Sequence, residues 1–311
     1  MLVLDAHCDT ASVLLDQKAD FFENNCQVDL KRLLAEGESI QFFAAFSNPF
    51  KFRNSSLTRI LSIIDYIYGA QEQNKDKMSI CRNSADMDAA IACGKVGAIL
   101  SVEGGEALNG ELAVLRQLYR LGVRSLLLTW NHRNMLADGS LETHGAGLSD
   151  FGRQVVAEMN RLGMIIDVSH LCEASYRDVL ELSAAPVIAS HSNAKSICAH
   201  PRNLSNEQLI QLKNKGGVVG ITFYPFFLNN SENASVDDVI RHIEYVCSII
   251  GEDNIGIGSD FDGIECVPSG LEGTQSLYFL FERLLTLNYR ESFIEKFAGL
   301  NFMRVIRRVI S

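Results

Sequence analysis

The most informative stretch of the chain is Leu2-Val-Leu-Asp-Ala-His-Cys-Asp9, where a short apolar run ends in an imidazole and a carboxylate. Side chains at positions i and i+2 of an extended strand share a face. His7 and Asp9 are therefore placed to reach one metal ion from the end of a strand, at the rim where parallel barrels carry their sites. Cys8 points to the opposite face, so we do not expect it to be a ligand. The alternative is a strand end whose polar residues meet solvent, since an isolated His-x-Asp sequence often occurs by chance.

Along the rest of the chain, short apolar runs alternate with longer segments of helical periodicity. This alternation is typical of repeated βα units and a parallel sheet. The predicted strands lie at residues 2–6, 40–47, 97–102, 123–129, 164–168, 187–190, 218–223 and 255–259. The predicted helices lie at residues 56–74, 84–94, 111–121, 149–162, 172–183, 205–215, 235–250, 274–288 and 291–310.

Eight strands that are each followed by a helix predict an α/β fold, the (β/α)8 or TIM barrel, with extra helices between residues 56 and 94. An open doubly wound sheet is the alternative, but it needs a glycine-rich phosphate turn after a strand, and none has that context. The length of 311 residues suits one large barrel. Since no linker rich in Pro, Gly or Ser divides the chain, we expect a single domain over residues 1–311.

Composition excludes some functions and indicates a compartment. A formal charge of -10 without a basic stripe argues against nucleic-acid binding. The 8 cysteines are scattered and form no Cys-x-x-Cys pair, which indicates reduced thiols. The first strand starts at residue 2, which leaves no room for a leader, and the longest apolar run, residues 216–228, is too short to span a membrane. We therefore expect a cytoplasmic protein without a membrane anchor.

Ligand-type side chains recur at the carboxyl ends of the predicted strands, where barrel active sites lie. Glu103 ends the third strand and is followed by two glycines, His170 and His191 follow the fifth and sixth, and Asp260 and Asp262 follow the eighth. Each alone has an ordinary explanation as a surface histidine, a turn or an Asx-turn. Their alignment with one rim indicates a common site.

The chemistry of this set favours two metal ions. Three imidazoles with two or three carboxylates suit Zn²⁺ or a related borderline ion, whereas Mg²⁺ and Ca²⁺ prefer oxygen alone. One catalytic zinc keeps three protein ligands, so five fit a pair of ions that share a carboxylate. Ions about 3.5–4 Å apart can hold a bridging hydroxide and polarise a carbonyl, which predicts amide or ester hydrolysis. The two predicted ligand sets are His7, Asp9 and Glu103, and Glu103, His170 and His191.

The motifs around these residues resemble the membrane (renal-type) dipeptidase family of zinc peptidases, peptidase family M19. They are His7-Cys-Asp9, Val-Glu103-Gly-Gly, Asp-Val-Ser-His170, Ser-His191-Ser-Asn-Ala with Pro-Arg202-Asn-Leu eleven residues on, and Gly-Ser-Asp260-Phe-Asp-Gly. The motifs come in the family's order, and the likeness covers nearly the whole chain. The chain is similar to a soluble, bacterial-type member.

The resemblance implies a dipeptidase with two Zn²⁺ ions bridged by Glu103. It implies that Asp260 is not a ligand but acts as general base and then general acid, as a bridging hydroxide attacks the peptide bond. It implies that Arg202 binds the free carboxylate of a dipeptide, for which a planar guanidinium is suited. The substrates implied include dipeptides with a C-terminal D-residue, and a homodimer is common in the family.

The chain departs from the family's vertebrate members after the fourth strand. Those members place a substrate-binding histidine there, whereas this chain has Trp130 at the position that aligns most directly and His132 two residues on. Both are candidates for substrate binding, and loop packing is the alternative for each. His242 is expected on a helix surface.

Two other functions are consistent with the same residues. One is a different metal-dependent amidohydrolase or a lactonase on the same barrel, for which the free carboxylate bound by Arg202 would not be needed. The other is an inactive barrel that only binds ligands, and the complete set of metal ligands counts against it.

Overall fold

Parallel strands form the centre of the molecule in the computed structural model, which describes residues 1–52 and 54–310. Nine strands are found among these residues, one more than predicted. They are β1 (Val3–Cys8), β2 (Ser39–Phe46), β3 (Met78–Ile80), β4 (Val96–Glu103), β5 (Val123–Leu127), β6 (Ile165–Asp167), β7 (Ile188–Ala189), β8 (Val218–Ile221) and β9 (Ile255–Ile257).

The strands close into a ring. Their order is β2-β1-β9-β8-β7-β6-β5-β4, and β4 returns to β2 in a ladder that runs from Ile40↔Gly97 to Phe46↔Glu103. This is the predicted eight-stranded (β/α)8 barrel, which is confirmed. The additional strand β3 pairs only with the first residues of β4, as far as Ala98, whereas the pairing of β4 with β5 starts at Leu100. β3 was not predicted, because it has only two apolar residues, Met78 and Ile80, with Ser79 between them.

Helices surround the barrel. They are α1 (Thr10–Gln17), α2 (Leu30–Ala35), α3 (Ser56–Gln73), α4 (Ser84–Ala92), α5 (Leu112–Arg120), α6 (Asp150–Leu162), α7 (Glu173–Leu182), α8 (Asn206–Asn214), α9 (Pro225–Leu228), α10 (Val236–Ile250), α11 (Leu277–Thr286), α12 (Glu291–Glu295) and α13 (Asn301–Val309). The helices α1, α2 and α9 were not predicted. The predicted helix over residues 291–310 is interrupted by a π-helical turn at Lys296–Leu300.

Local chemistry sets several helix boundaries. At the start of α8, the Ser205 hydroxyl accepts the Gln208 N–H at 3.2 Å and the Gln208 side chain accepts the Ser205 N–H at 2.9 Å. This reciprocal capping box satisfies two donors that a helix start leaves free, and such a cap stabilises a helix by about 1 kcal/mol. At the other end of a helix, Gly163 stops α6 with φ 69°, a left-handed conformation that glycine adopts without strain.

Apolar packing occupies both faces of the barrel wall. One buried cluster joins strand residues such as Val102 to the flanking helices. A second cluster contains Ile99, which lies on the same face of β4 as Glu103, and joins it to Phe302 and Ile306 of α13. The barrel is therefore filled by side chains, and its polar residues are concentrated at the carboxyl ends of the strands.

His242 is not on a helix surface, which corrects the prediction. Its side chain is fully buried, Nδ1 accepts the Ala194 N–H at 3.1 Å, and Nε2 donates to the Leu228 carbonyl at 2.9 Å. Burial lowers the pKa of His242 to about 4, so the ring is neutral and can both donate and accept. The ring holds the loop after β7 against α9, a tertiary role that helical periodicity does not reveal.

Within the described part of the chain, no helix combines the length and the apolar character needed to cross a bilayer.

Candidate metal centre and catalytic pocket

The predicted ligands converge at the carboxyl ends of β1, β4, β6 and β7. The Nε2 atom of His7 lies 3.4 Å from Asp9 Oδ2 and 3.7 Å from Glu103 Oε2. The other oxygen of Glu103, Oε1, lies 3.0 Å from His170 Nε2 and 3.8 Å from His191 Nε2. All five side chains are buried. Residues from four separate strands thus share one small space.

Glu103 belongs to both of the predicted ligand sets. His7, Asp9 and Glu103 form one group and Glu103, His170 and His191 another, and within each the donor atoms lie within 4.8 Å of one another. A third group within the same limit consists of His7, His191 and Asp260. Two ligand sets with a shared carboxylate are the arrangement that a pair of metal ions requires.

Unpartnered polar atoms show that the donor set fits cations. Both ring nitrogens of His7 and Oδ1 of Asp9 are buried without a hydrogen-bond partner among the described residues, an arrangement that costs about 1–3 kcal/mol per group. The ring of His170 donates from Nδ1 to Asn131 Oδ1 at 2.9 Å, so its Nε2 carries a lone pair. That lone pair faces His191 Nε2 at 2.8 Å. Imidazole nitrogens and carboxylate oxygens that converge in this way suit zinc.

The pKa shifts of the three histidines also favour a bound cation. Burial lowers the pKa values of His170 and His191 well below the usual range, so both rings are in the neutral form that binds metals. Burial also lowers the pKa of His7, but Glu103 and Asp9 outweigh this effect and raise it to about 10. The buried carboxylates therefore favour a positive charge beside His7, and a bound cation would supply it.

Asp260 approaches the ligands from the loop after β9. Its Oδ1 lies 3.9 Å from His7 Nε2, and burial raises the pKa of its carboxyl to about 7. Asp260 and His170 have φ values of 65° and 69°, a left-handed conformation that is strained for residues other than glycine. Strain of this kind concentrates at functional sites. Gly263 is required nearby, because a Cβ there would lie 2.3 Å from Asp9 Oδ2 and 2.7 Å from Asp260 Oδ1.

Arg202 brings a buried positive charge to the same cavity. Its Nη2 donates to the His191 carbonyl at 3.1 Å, while Nε has no partner among the described residues. Burial lowers the pKa of the guanidinium to about 10, against the opposing effects of Asp260 and Glu103. The side chain is therefore charged at neutral pH and has a donor free for a ligand.

A cavity of about 420 Å³ opens over the ligands, and Glu103, His170, Arg202 and Asp260 are among the residues that line it. Its size suits a small molecule.

The two candidates after the fourth predicted strand, which is β5, occupy different places. Trp130 lines the cavity, and its ring centroid lies 5.4 Å from that of Phe46. His132 is absent from the described lining; its ring packs 5.5 Å from Phe50, and its Nδ1 lies 3.7 Å from Glu142 Oε1. Asn131, between them, lines the cavity and orients His170, a role that the sequence reasoning missed. Its place directly after a barrel strand was the available signal.

Comparisons with known proteins identify a peptidase family. A family model described as "Membrane dipeptidase (Peptidase family M19)" matches residues 1–311. The dipeptidase verJ of Clonostachys rogersoniana is 37% identical over 259 residues, which are 82% of this chain and 66% of that protein. An uncharacterized dipeptidase of Schizosaccharomyces pombe, C3A11.10c, is 35% identical over 295 residues, 90% of this chain and 72% of that protein.

Solved structures show the same architecture. A metallo peptidase from Rhodobacter sphaeroides, liganded with a phosphinate mimic of the dipeptide L-Ala-D-Ala, superposes with a TM-score of 0.92 at 28% identity over 99% of both chains. The dipeptidase AC, a metallo peptidase of family M19, superposes with a TM-score of 0.93 at 29% identity over 100% of this chain and 99% of that chain.

Proposed function

The chain belongs to the membrane dipeptidase family, peptidase family M19, and we propose a residue-level arrangement for its metal-dependent hydrolysis of dipeptides. Two zinc ions would be held by His7 and Asp9 on one side and by His170 and His191 on the other, with Glu103 in both ligand sets. The observation that carries this proposal is the position of Glu103, whose two carboxylate oxygens face one donor group each. When bound, the ions supply Lewis acidity for a carbonyl and a water of lowered pKa.

Asp260 handles the protons in this proposal. Its carboxylate accepts a proton from the attacking water and then delivers it to the nitrogen of the leaving amine, so that one group acts as base and as acid. Two features support this role. The side chain lines the cavity beside the ligands, and burial raises the pKa of the carboxyl to about 7, where both protonation states are accessible near neutral pH.

Arg202 sets the register of the substrate. A guanidinium beside the metal ligands can bind a carboxylate through charge-assisted hydrogen bonds. With the free carboxylate held there, one residue separates it from the peptide bond that is cleaved, which restricts the substrate to a dipeptide. The dipeptide mimic bound by the Rhodobacter relative ends in a D-residue, which supports activity on dipeptides of that stereochemistry. We assign the adjoining wall of the pocket to Trp130 and no substrate contact to His132.

Removal of metal is the first test of this proposal. Treatment with a chelator is expected to abolish hydrolysis of an L,L or L,D dipeptide, because without the ions no group polarises the carbonyl or lowers the pKa of the attacking water. Activity should return in proportion to added Zn²⁺ up to two equivalents per chain. Metal analysis alongside the assay checks the count, with Mg²⁺ as a control that should restore much less. Full activity of the metal-free protein would contradict the proposal.

Arg202→Ala tests how the substrate is recognised. A charge-assisted hydrogen bond contributes about 1.5–3 kcal/mol, so kcat/KM for a dipeptide should fall about 10- to 100-fold. The matched control is the C-terminal amide of the same dipeptide, which has no carboxylate and should be cleaved equally slowly by both proteins. An equal loss on acid and amide, or no loss on either, would instead favour a different amidohydrolase or lactonase substrate.

Three broader features stay predictions. We infer that residues 1–311 form one catalytic domain, and that the protein is cytoplasmic, which its eight free cysteines support because disulfides are typical of oxidising compartments. The homodimer rests on the family resemblance alone.

A further inference from the structure

Two pairs of neighbouring strands in the barrel have fewer registered residue pairs than the others. β1 pairs with β9 through one registered pair, Asp5↔Ile257, and is joined to the segment after β9 by the isolated bridge Cys8↔Phe261. β6 pairs with β7 through the single pair Asp167↔Ile188. The ladder between β2 and β4 has seven registered pairs by comparison. We call these places the β1/β9 seam and the β6/β7 seam. In each seam, one member of the registered strand pair is an aspartate, which is an unfavourable residue type inside a sheet.

The Asp5 carboxylate joins the two sides of the β1/β9 seam. Asp5 is 2% exposed, and its Oδ1 accepts the Ser259 N–H at 2.9 Å and the His7 N–H at 3.3 Å. Its Oδ2 accepts the Ser259 hydroxyl at 2.5 Å. Further along the same seam, the Asp260 N–H donates to the His7 carbonyl at 3.2 Å. The side chain thus replaces backbone hydrogen bonds where the ladder is short, directly before His7 and Asp260.

The Asp167 carboxylate does the same at the β6/β7 seam. Asp167 is 1% exposed, and its Oδ1 accepts the Ser169 N–H at 2.9 Å and the Ser190 N–H at 3.1 Å. Both serines contact the proposed ligand His191. The Ser169 hydroxyl accepts the His191 N–H at 3.2 Å, and the Ser190 hydroxyl lies 2.9 Å from His191 Nδ1.

Each seam leads to a different half of the metal centre. The β1/β9 seam precedes His7 and Asp9, whereas the β6/β7 seam precedes His170 and His191. We propose that Asp5 and Asp167 are positioning residues, each of which fixes the ligands of one of the two ions. Each buried carboxylate accepts several hydrogen bonds, so replacing it leaves buried donors unpaired and is expected to shift the residues that it orients. This inference rests on the proposed two-ion function.

Metal binding to the isosteric variants Asp5→Asn and Asp167→Asn tests the inference. Each change puts an amide N–H₂, which is a donor, in place of a carboxylate oxygen that only accepts hydrogen bonds. Because outer-shell partners change metal affinity by about 10- to 100-fold, each variant should bind one zinc ion that much more weakly and the other nearly as wild type does. The measurement is a zinc titration of the full-length metal-free protein against a chromophoric chelator. Anomalous scattering from crystals of each variant at one equivalent of zinc identifies the retained position.

The two variants control for each other. Asp5→Asn should empty the position beside His7, and Asp167→Asn the position beside His191. Asp29→Asn is a third control, because this buried carboxylate caps α2, accepting the Arg32 N–H at 2.8 Å, and belongs to neither seam. It should leave both affinities unchanged. If an Asn variant does not fold, Ser259→Ala removes the hydroxyl that donates to Asp5, and Ser169→Ala removes the hydroxyl that accepts the His191 N–H. These two variants should show the same selectivity.

The possible outcomes separate this inference from the proposed function. Wild type that binds two ions, together with variants that weaken both equally or neither, would overturn the inference and leave the two-ion proposal standing. Wild type that binds fewer than two ions would overturn the two-ion proposal, and the inference with it.

Discussion

Asp260→Asn is expected to abolish turnover while both zinc ions stay bound. The amide cannot accept a proton from the attacking water or return one to the leaving amine, and the loss of such a group lowers rates by about 10²- to 10⁴-fold. The substitution preserves shape, and Asp260 belongs to neither proposed ligand set, so metal content should not change. The measurements are kcat on a dipeptide and the zinc content of the same sample.

Asp262→Asn is the matched control for that experiment. Asp262 lies two residues further along the same loop, lines the same cavity and has the same φ of 65°. Its oxygens are already engaged, since Oδ2 accepts the Thr10 hydroxyl at 2.5 Å and Oδ1 accepts the Gln27 N–H at 2.8 Å. Its loss should therefore lower stability more than turnover. Equal losses of kcat in the two variants, or loss of zinc from Asp260→Asn, would contradict a proton-transfer role for Asp260.

The barrel was predictable because its signals are local and repeat. Each long strand has a run of apolar residues, as in Gly97 to Val102, and each is followed by a helix whose start and stop residues have their own chemistry. The elements that were missed lack such signals. β3 is a three-residue addition to one edge of β4, and α9 is a single turn that starts at Pro225. Tertiary packing, not periodicity, determines these two elements.

The convergence of the site residues was predictable for a related reason. In a parallel barrel every strand ends at the same rim, so the sequence position of His7, Glu103 and His191 is enough to place them together. Roles that depend on contacts between distant segments could not be predicted. The ring of His242 bonds two backbone segments, and the carboxylate of Asp5 bonds a serine 254 residues away. Neither contact leaves a pattern along the chain.

Glu103→Gln is expected to weaken the binding of both ions, whereas a change at either seam is expected to weaken the binding of only one. Glu103 is the only one of the five proposed ligands that belongs to both proposed ligand sets, and it is 4% exposed. An amide keeps one oxygen but loses the charge, and removal of one partner from a buried charge pair costs about 3–5 kcal/mol, which corresponds to about 10²- to 10⁴-fold in affinity.

The same zinc titration measures this effect, and His170→Ala is the matched comparison, because His170 belongs to one donor group only. Glu103→Gln should lower both affinities and eliminate hydrolysis at stoichiometric zinc, whereas His170→Ala should retain the ion beside His7. If Glu103→Gln released a single ion and held the other at wild-type affinity, Glu103 would be a ligand of one ion and the centre would have no carboxylate bridge.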